Sequence, residues 1–159
     1  GLGDVYKRQR LFIRSIDERN QNLLKVASCV IAKQQAFLLS GAAAMRPLTL
    51  KEVADEVGLH ESSVSRLTTN KLILTPQGLL DFKYFFSSQV QSDDGAVSST
   101  AIGAMIAQMI ANEDPKKPLS DSKITNALVE QGIDVARRTV AKYRETMGIL
   151  SSSERKKKL

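Results

Sequence analysis

From Leu11 to about Ser40 the chain contains neither glycine nor proline. Ile16, Leu23, Val30 and Phe37 recur every seven residues, and Leu24, Ile31 and Leu38 run beside them. Two adjacent apolar columns at this spacing make one face of a helix. At 1.5 Å per residue that helix would run roughly 45 Å, longer than a small domain needs. The residues allow a single long strut or two helices broken near Asn20-Gln21-Asn22. Residues 1–9, GLGDVYKRQ, have no usable periodicity and are left unassigned, their native origin open.

Gly41 closes the long segment and Pro47 forces a fresh start. Thr49 and Glu52 are spaced as a capping box ahead of Leu50, Val53, Ala54 and Val57. Gly58 makes a tight turn, Leu59 plugs the core, and a second helix is expected from about Glu61 to Asn70. His60 stands where its N-cap belongs. TLKEVADEVGLHESSVSRLT, residues 49–68, is thus helix–turn–helix grammar. Val64 and Leu67 face inward, leaving Glu61, Ser62, Ser65 and Arg66 outside. Leu72-Ile73-Leu74, a turn at Thr75–Gly78 and Leu79-Leu80 read as a wing hairpin. Lys83-Tyr84-Phe85-Phe86 is the densest aromatic cluster, read as packing against the wing. Gln89–Ser98, polar and with Gly95, reads as a linker. Fully extended it spans at most about 35 Å, which permits two units one turn of DNA apart.

Ser99-Thr100 would cap the next helix, with Ile102, Met105, Ile106, Met109 and Ile110 as its buried stripe. The loop Glu113–Pro118 exposes Lys116 and Lys117. Ser120 caps a helix carrying Ile124, Leu128 and Val129, near whose start Lys123 could donate to a phosphate. Gly132 then turns the chain into a second pair member, ARRTVAKYR at Ala136–Arg144. On a helix, Ala136, Val140, Tyr143 and Met147 share an apolar stripe. Arg137, Arg138, Ala141, Lys142 and Arg144 occupy the other side. Two arginines in a first turn oppose the helix dipole, so another partner should want them. DNA-reading helices touch base edges with such N-terminal residues. Arg155–Lys158 is a basic run read as a solvated tail.

The fold expected is therefore mainly α. Residues 10–88 hold a long helix and a winged helix-turn-helix unit, 89–98 a linker, 99–150 a second small helix-turn-helix domain, and 151–159 a basic tail. A formal charge of +6 favours a polyanionic partner. Scarce aromatics and no tryptophan favour duplex over single strands. Cys29, the single cysteine, excludes an internal disulfide and suits a reducing cytosol. No apolar run is long enough for a membrane span and no secretory signal opens the chain, so no membrane partner and a cytoplasmic location are expected. One histidine, no phosphate loop, no metal-spaced Cys/His set and no catalytic constellation speak against an enzyme, a metal or a cofactor. Two readings remain: a DNA-binding chain, or a helical module docking on a protein, with a stand-alone dimeric repressor a weaker variant of the second.

ARRTVAKYRE resembles the RpoN box, the signature of sigma-54 RNA polymerase sigma factors. The resemblance extends through HESSVSRLTTNK, KYFFSS and STAIGAMIAQMIANEDPKKPLSDSKIT, from about Arg10 to about Met147. It implies a single long helix and promoter DNA as partner, with the bacterial nucleoid as the site of action. Arg137 and Arg138 would read the GG of the −24 element. Thr139, Lys142, Tyr143, Arg144, Lys123 and Ser120 would support them on the duplex. The first pair, through Arg66, Ser62 and Ser65, would lie near the −12 element, although its residues alone leave DNA contact open. It also implies core RNA polymerase as partner of a full-length protein and an AAA+ ATPase activator acting indirectly. The activator-responsive segment and most of the polymerase-binding region lie outside this sequence.

Overall fold

A computed structural model describes residues 2–93 and 95–157, in a mainly helical chain with two small two-stranded sheets. Helix α1, Leu2–Lys33, runs unbroken through Asn20–Asn22, and α2, Gln35–Ser40, follows after a break at Gln34. The long segment is therefore one strut with a late interruption. It also begins earlier than expected, taking in most of the first nine residues. The chain divides into two compact units. Unit 1 comprises residues 1–35 and 49–85, and unit 2 residues 36–48 and 86–159.

In unit 1, Val26, Cys29 and Val30 form the buried stripe of α1. Of the expected columns, Val30 is buried and Leu23 half-buried, whereas Leu24 and Ile31 face solvent; the side chain of Ile16 lies outside the described residues. The helix thus uses part of one column together with Val26 and Cys29, which lie in neither. Gln34 is fully buried at the break, and its Nε2 donates to the Phe85 carbonyl at 3.0 Å. That bond satisfies an amide that would otherwise cost free energy in the core.

Against α1 pack α3, Leu50–Val57, and α4, Glu61–Thr68. Thr49 caps α3 by accepting from the Glu52 amide at 3.1 Å, and Gly58 ends it in the left-handed region. His60 caps α4 through Nδ1, which accepts from the Ser62 amide. Val53, Ala54, Val64 and Leu67 are buried between the pair. Strands β1, Leu72–Thr75, and β2, Gly78–Asp81, form a hairpin with Thr75 opposite Gly78. A 3-10 turn at Phe82–Phe85 buries Phe82 and Phe85, with Tyr84 edge-on to Phe85 at 6.2 Å.

Unit 2 begins inside the expected first domain. Residues 36–48 belong to it: Ser98 Oγ donates to the Met45 carbonyl at 2.6 Å, and the Leu48 amide donates to Ser87 O. The expected linker is also folded. Strands β3, Gln89–Ser92, and β4, Gly95–Ser98, pair antiparallel, and Val90 and Val97 pack on the core of this unit. The Asp93 amide donates to Gly132 O at 2.9 Å and the Asp134 amide to Gln91 O at 3.2 Å. Residues 89–98 therefore form no free tether and do not have the extended reach expected of one.

Helix α5, Ser99–Ala111, is capped by Ser98, one residue before the expected caps. With α6, Asp121–Glu130, and α7, Arg137–Thr146, it encloses Ile102, Ile106, Ile124, Leu128, Ile133, Val135 and Val140. Of the apolar residues on α6, Ile124 and Leu128 are buried and Val129 is half exposed. Helix α8, Ser152–Lys157, ends the described chain.

Gly132, between α6 and α7, has φ 79°, and a Cβ there would meet Asp93 Oδ2 at 2.7 Å. Gly148 has a similar φ of 72° but open space around it. Gly148→Ala is therefore expected to cost only backbone strain, about 1–2 kcal/mol. Gly132→Ala should cost more, because it must also displace the Asp93 side chain, whose own Cβ would lie 3.1 Å away. Denaturant unfolding of both variants checks this; equal losses would remove the clash with Asp93 as a cause.

Candidate nucleic-acid interface

Helix α7 presents its cations unevenly. Arg137 and Arg138 in its first turn are exposed, and among the described residues neither has an ion pair or a side-chain hydrogen bond. Ala136 precedes them and offers no side-chain cap, whereas Thr49, His60, Ser98 and Ser120 each cap their helices. The start of α7 thus combines uncapped N–H groups with two unpartnered guanidinium groups. Both favour an anion or a hydrogen-bond acceptor arriving from outside. Lys142 is exposed farther along, Thr139 is half-buried, and Ala141 leaves the surface low between them.

Arg144, expected on that surface as a phosphate ligand, is turned inward. Its side chain is only 7 % exposed, and Nε and Nη2 donate to the two Asp121 carboxylate oxygens at 2.9 and 3.2 Å. Nη1 donates to the Ile149 carbonyl at 2.7 Å. These bonds employ all three guanidinium nitrogens, so Arg144 locks α7 to the start of α6 instead of meeting a ligand. Helical position alone put it on the charged face; a carboxylate 23 residues upstream in sequence decided its direction. Tyr143 is half-buried against the core, and burial pushes its phenol pKa up. Lys123 is exposed at the start of α6, where Ser120 Oγ accepts the Lys123 amide at 3.3 Å.

The second inward arginine is Arg155, which the sequence placed in a solvated tail. Its Nε and Nη2 donate to the Glu113 carboxylate at 2.7 and 2.9 Å, and Nη2 also donates to Leu119 O. Glu113 accepts the Leu119 amide as well, at 2.6 Å. The Arg155 guanidinium, more than anything else, holds the Glu113 carboxyl below the ordinary glutamate range. A carboxylate whose folded pKa is depressed adds stability that is fully present above its unfolded pKa, about 4.3. That stability is lost as pH falls through the folded pKa. Thermal melting of unit 2 should therefore weaken below about pH 4.3, and Glu113→Gln should flatten that part of the profile. An unchanged profile in the variant would assign the acid sensitivity elsewhere.

In unit 1, Arg66 on α4 is exposed, while Ser62 and Ser65 are half-buried. Ser62 Oγ is engaged with His60 Nδ1 at 2.7 Å. Arg66 borders an open notch of about 440 Å³ together with Ser63 of α4 and Glu18, Arg19 and Asn22 of α1. Arg19 was not foreseen from sequence. Only the packing of α1 beside α4 brings it to Arg66.

No group of His, Cys, Asp and Glu among the described residues could hold a metal ion, and no described helix is long and apolar enough to cross a membrane. The chain is thus mainly helical, with two exposed cations at one uncapped helix start. Residues 2–157 match the family described as "Sigma-54, DNA binding domain". The chain belongs to the sigma-54 DNA-binding domain family, a family of binding domains and not of enzymes. The match also reaches back to Leu2, so the first nine residues left unassigned fall largely within it.

Among its relatives, the RNA polymerase sigma-54 factor of Acinetobacter guillouiae is 61 % identical over 146 residues, covering 91 % of this chain and 30 % of that protein. That of Azotobacter vinelandii is 55 % identical over 149 residues, 93 % of this chain and 30 % of the relative. The crystal structure of Aquifex aeolicus sigmaN bound to promoter DNA is similar, with a TM-score of 0.61 and 40 % identity. That similarity covers 97 % of this chain and 46 % of the other. The chain thus spans about 30 % of the length of the curated relatives it matches.

Proposed function

We propose that this chain reads promoter DNA through two helix–turn–helix units, α3–α4 and α6–α7. The exposed, unpartnered Arg137 and Arg138 at the uncapped start of α7 are the observation that carries the reading. Arginine fits guanine O6 and N7 in the major groove, so α7 would read the GG of a −24 element. Lys142, Lys123 and Thr139 would hold the backbone, with the Tyr143 hydroxyl at the margin. Arg66, with Ser62 and Ser65 beside it, would place α4 near a −12 element. The relative solved with promoter DNA supports the choice of duplex as ligand.

In the full-length protein, we further propose core RNA polymerase as partner and an AAA+ ATPase as the indirect activator, both acting in the bacterial cytoplasm at the nucleoid. A docking module is favoured by one feature, the solvent-facing leucines 72, 74 and 79 of the wing.

The two are separated by titrating the chain with a duplex carrying GG and GC elements at sigma-54 spacing, and with a GG-scrambled duplex, across salt concentrations. Preference for the intact, non-palindromic site is expected. Equal and steeply salt-dependent binding to both would leave only a basic surface and bring the docking module forward.

A further inference from the structure

The last helix is built, not trailing. A six-residue helix is too short to persist alone in water. Here Ser151 and Glu154 form a reciprocal cap: the Ser151 amide donates to Glu154 Oε2, and the Glu154 amide donates to Ser151 Oγ. Arg155 then ties α8 to Glu113 and to the Leu119 carbonyl, directly before the cap of α6. Its charge is spent on Glu113, with side chains 13 % and 9 % exposed. Arg155 is therefore an anchor and not a ligand-binding group.

The anchor brings the end of the chain to the loop that precedes α6. In that loop the Lys117 amide donates to Asp114 O and the Lys116 amide to Asp114 Oδ1, a turn that leaves both lysine side chains exposed. Lys156, next to the anchor, is exposed too, as is Lys123 in the first turn of α6. Among the described residues none of these four lysines has an ion pair. Two acidic groups nearby are ion-paired, Asp121 with Arg144 and Glu113 with Arg155, while Glu154 and Asp114 accept from Ser151 and the Lys116 amide and keep their charge.

We infer that α8 and the Lys116–Lys117 loop form a second phosphate-binding surface of unit 2, held together by the Arg155–Glu113 pair. Its ligand is the sugar-phosphate backbone of duplex DNA beside the bases that α7 reads. The inference rests on the reading of α6–α7 as a DNA-binding pair, whose first helix would cross the backbone; the lysines lie about the start of that helix. The surface contributes affinity without base choice.

The test measures binding of the whole chain to intact and GG-scrambled duplexes over a salt series. Lys116→Ala with Lys117→Ala, and Lys156→Ala separately, should weaken both duplexes alike. Each phosphate left without its lysine should reduce the slope of log affinity against log salt by about 0.9. Glu113→Gln supplies the opposite sign. It raises the net charge by one, so simple attraction would tighten binding, whereas loss of the anchor should weaken it and reduce the slope. Melting curves establish which variants are folded, and Lys156→Ala, an exposed change, serves if Glu113→Gln is not. Unchanged slopes in the lysine variants, or tighter binding by folded Glu113→Gln, would overturn the proposal. A parent chain without preference for the intact site would instead remove the GG reading, while the slopes on scrambled DNA would still judge this surface.

Discussion

Asp121→Ala is expected to destabilise unit 2 by about 3 kcal/mol, the low end of the cost of stripping one partner from a buried ion pair. What is left behind sets that cost. Arg144 would stay inside with its side chain 7 % exposed, keeping its bond to the Ile149 carbonyl and a looser ion pair with the exposed Glu145 at 3.7 Å. Asp121 itself is 19 % exposed, so water can enter partly in its place, which moderates the loss. Replacing both partners, Asp121→Ala with Arg144→Met, should recover much of the stability, because no charge then remains in the core. Denaturant unfolding of the three proteins reads the cycle. A loss well under 1 kcal/mol for Asp121→Ala would mean the pair behaves as a surface ion pair. Arg144→Ala should also lower DNA binding only through the folded fraction, since the side chain does not reach the surface.

The second large effect is expected from the exposed arginines. Arg138→Ala should cost about 1–3 kcal/mol of binding at the intact site and relax the base choice, as the removal of a bidentate guanine ligand does. Arg137→Ala should fall in the same range, and the double change less than the sum if both arginines serve one base step. Lys142→Ala is the contrast: a phosphate ligand strengthens every sequence alike, so its removal weakens all of them and lowers the salt slope by about one. Folding is not at issue for these two arginines, because neither holds a partner among the described residues. Equal losses on intact and scrambled duplexes for Arg138→Ala and Lys142→Ala would end this division of labour.

Local signals carried most of the fold. Caps at Thr49, His60 and Ser120, turns at Gly58 and Gly132, and the buried stripes of α4 and α5 are set by neighbours within a few residues, so the sequence displays them. What escaped depends on partners distant in the chain. Arg144 and Arg155 were assigned outward by helical position and by their basic neighbours. Their direction is fixed by Asp121 and Glu113, 23 and 42 residues away. Arg19 and Gln34 gain their places only from packing around α1. The hairpin at 89–98 is a different failure. Its polar composition suggested a tether, yet Val90 and Val97 pair across the two strands and pack together on the core of the unit. The −24 and −12 assignments came from family resemblance, because no single side chain names its base.

The return of residues 36–48 to unit 2 makes that unit discontinuous, with residues 49–85 spliced into it as an insert. Such a unit cannot complete itself in the order in which the chain is made. Met45 waits for Ser98, 53 residues later. Folding of the insert, which joins Gln34 to Phe85, shortens that wait by roughly half the chain separation. The entropic gain is only about 0.6 kcal/mol, too little to bind the stabilities of the two units together. The order of synthesis still sets a sequence of events: on a ribosome, the spliced-in helices would form first and residues 86–159 last.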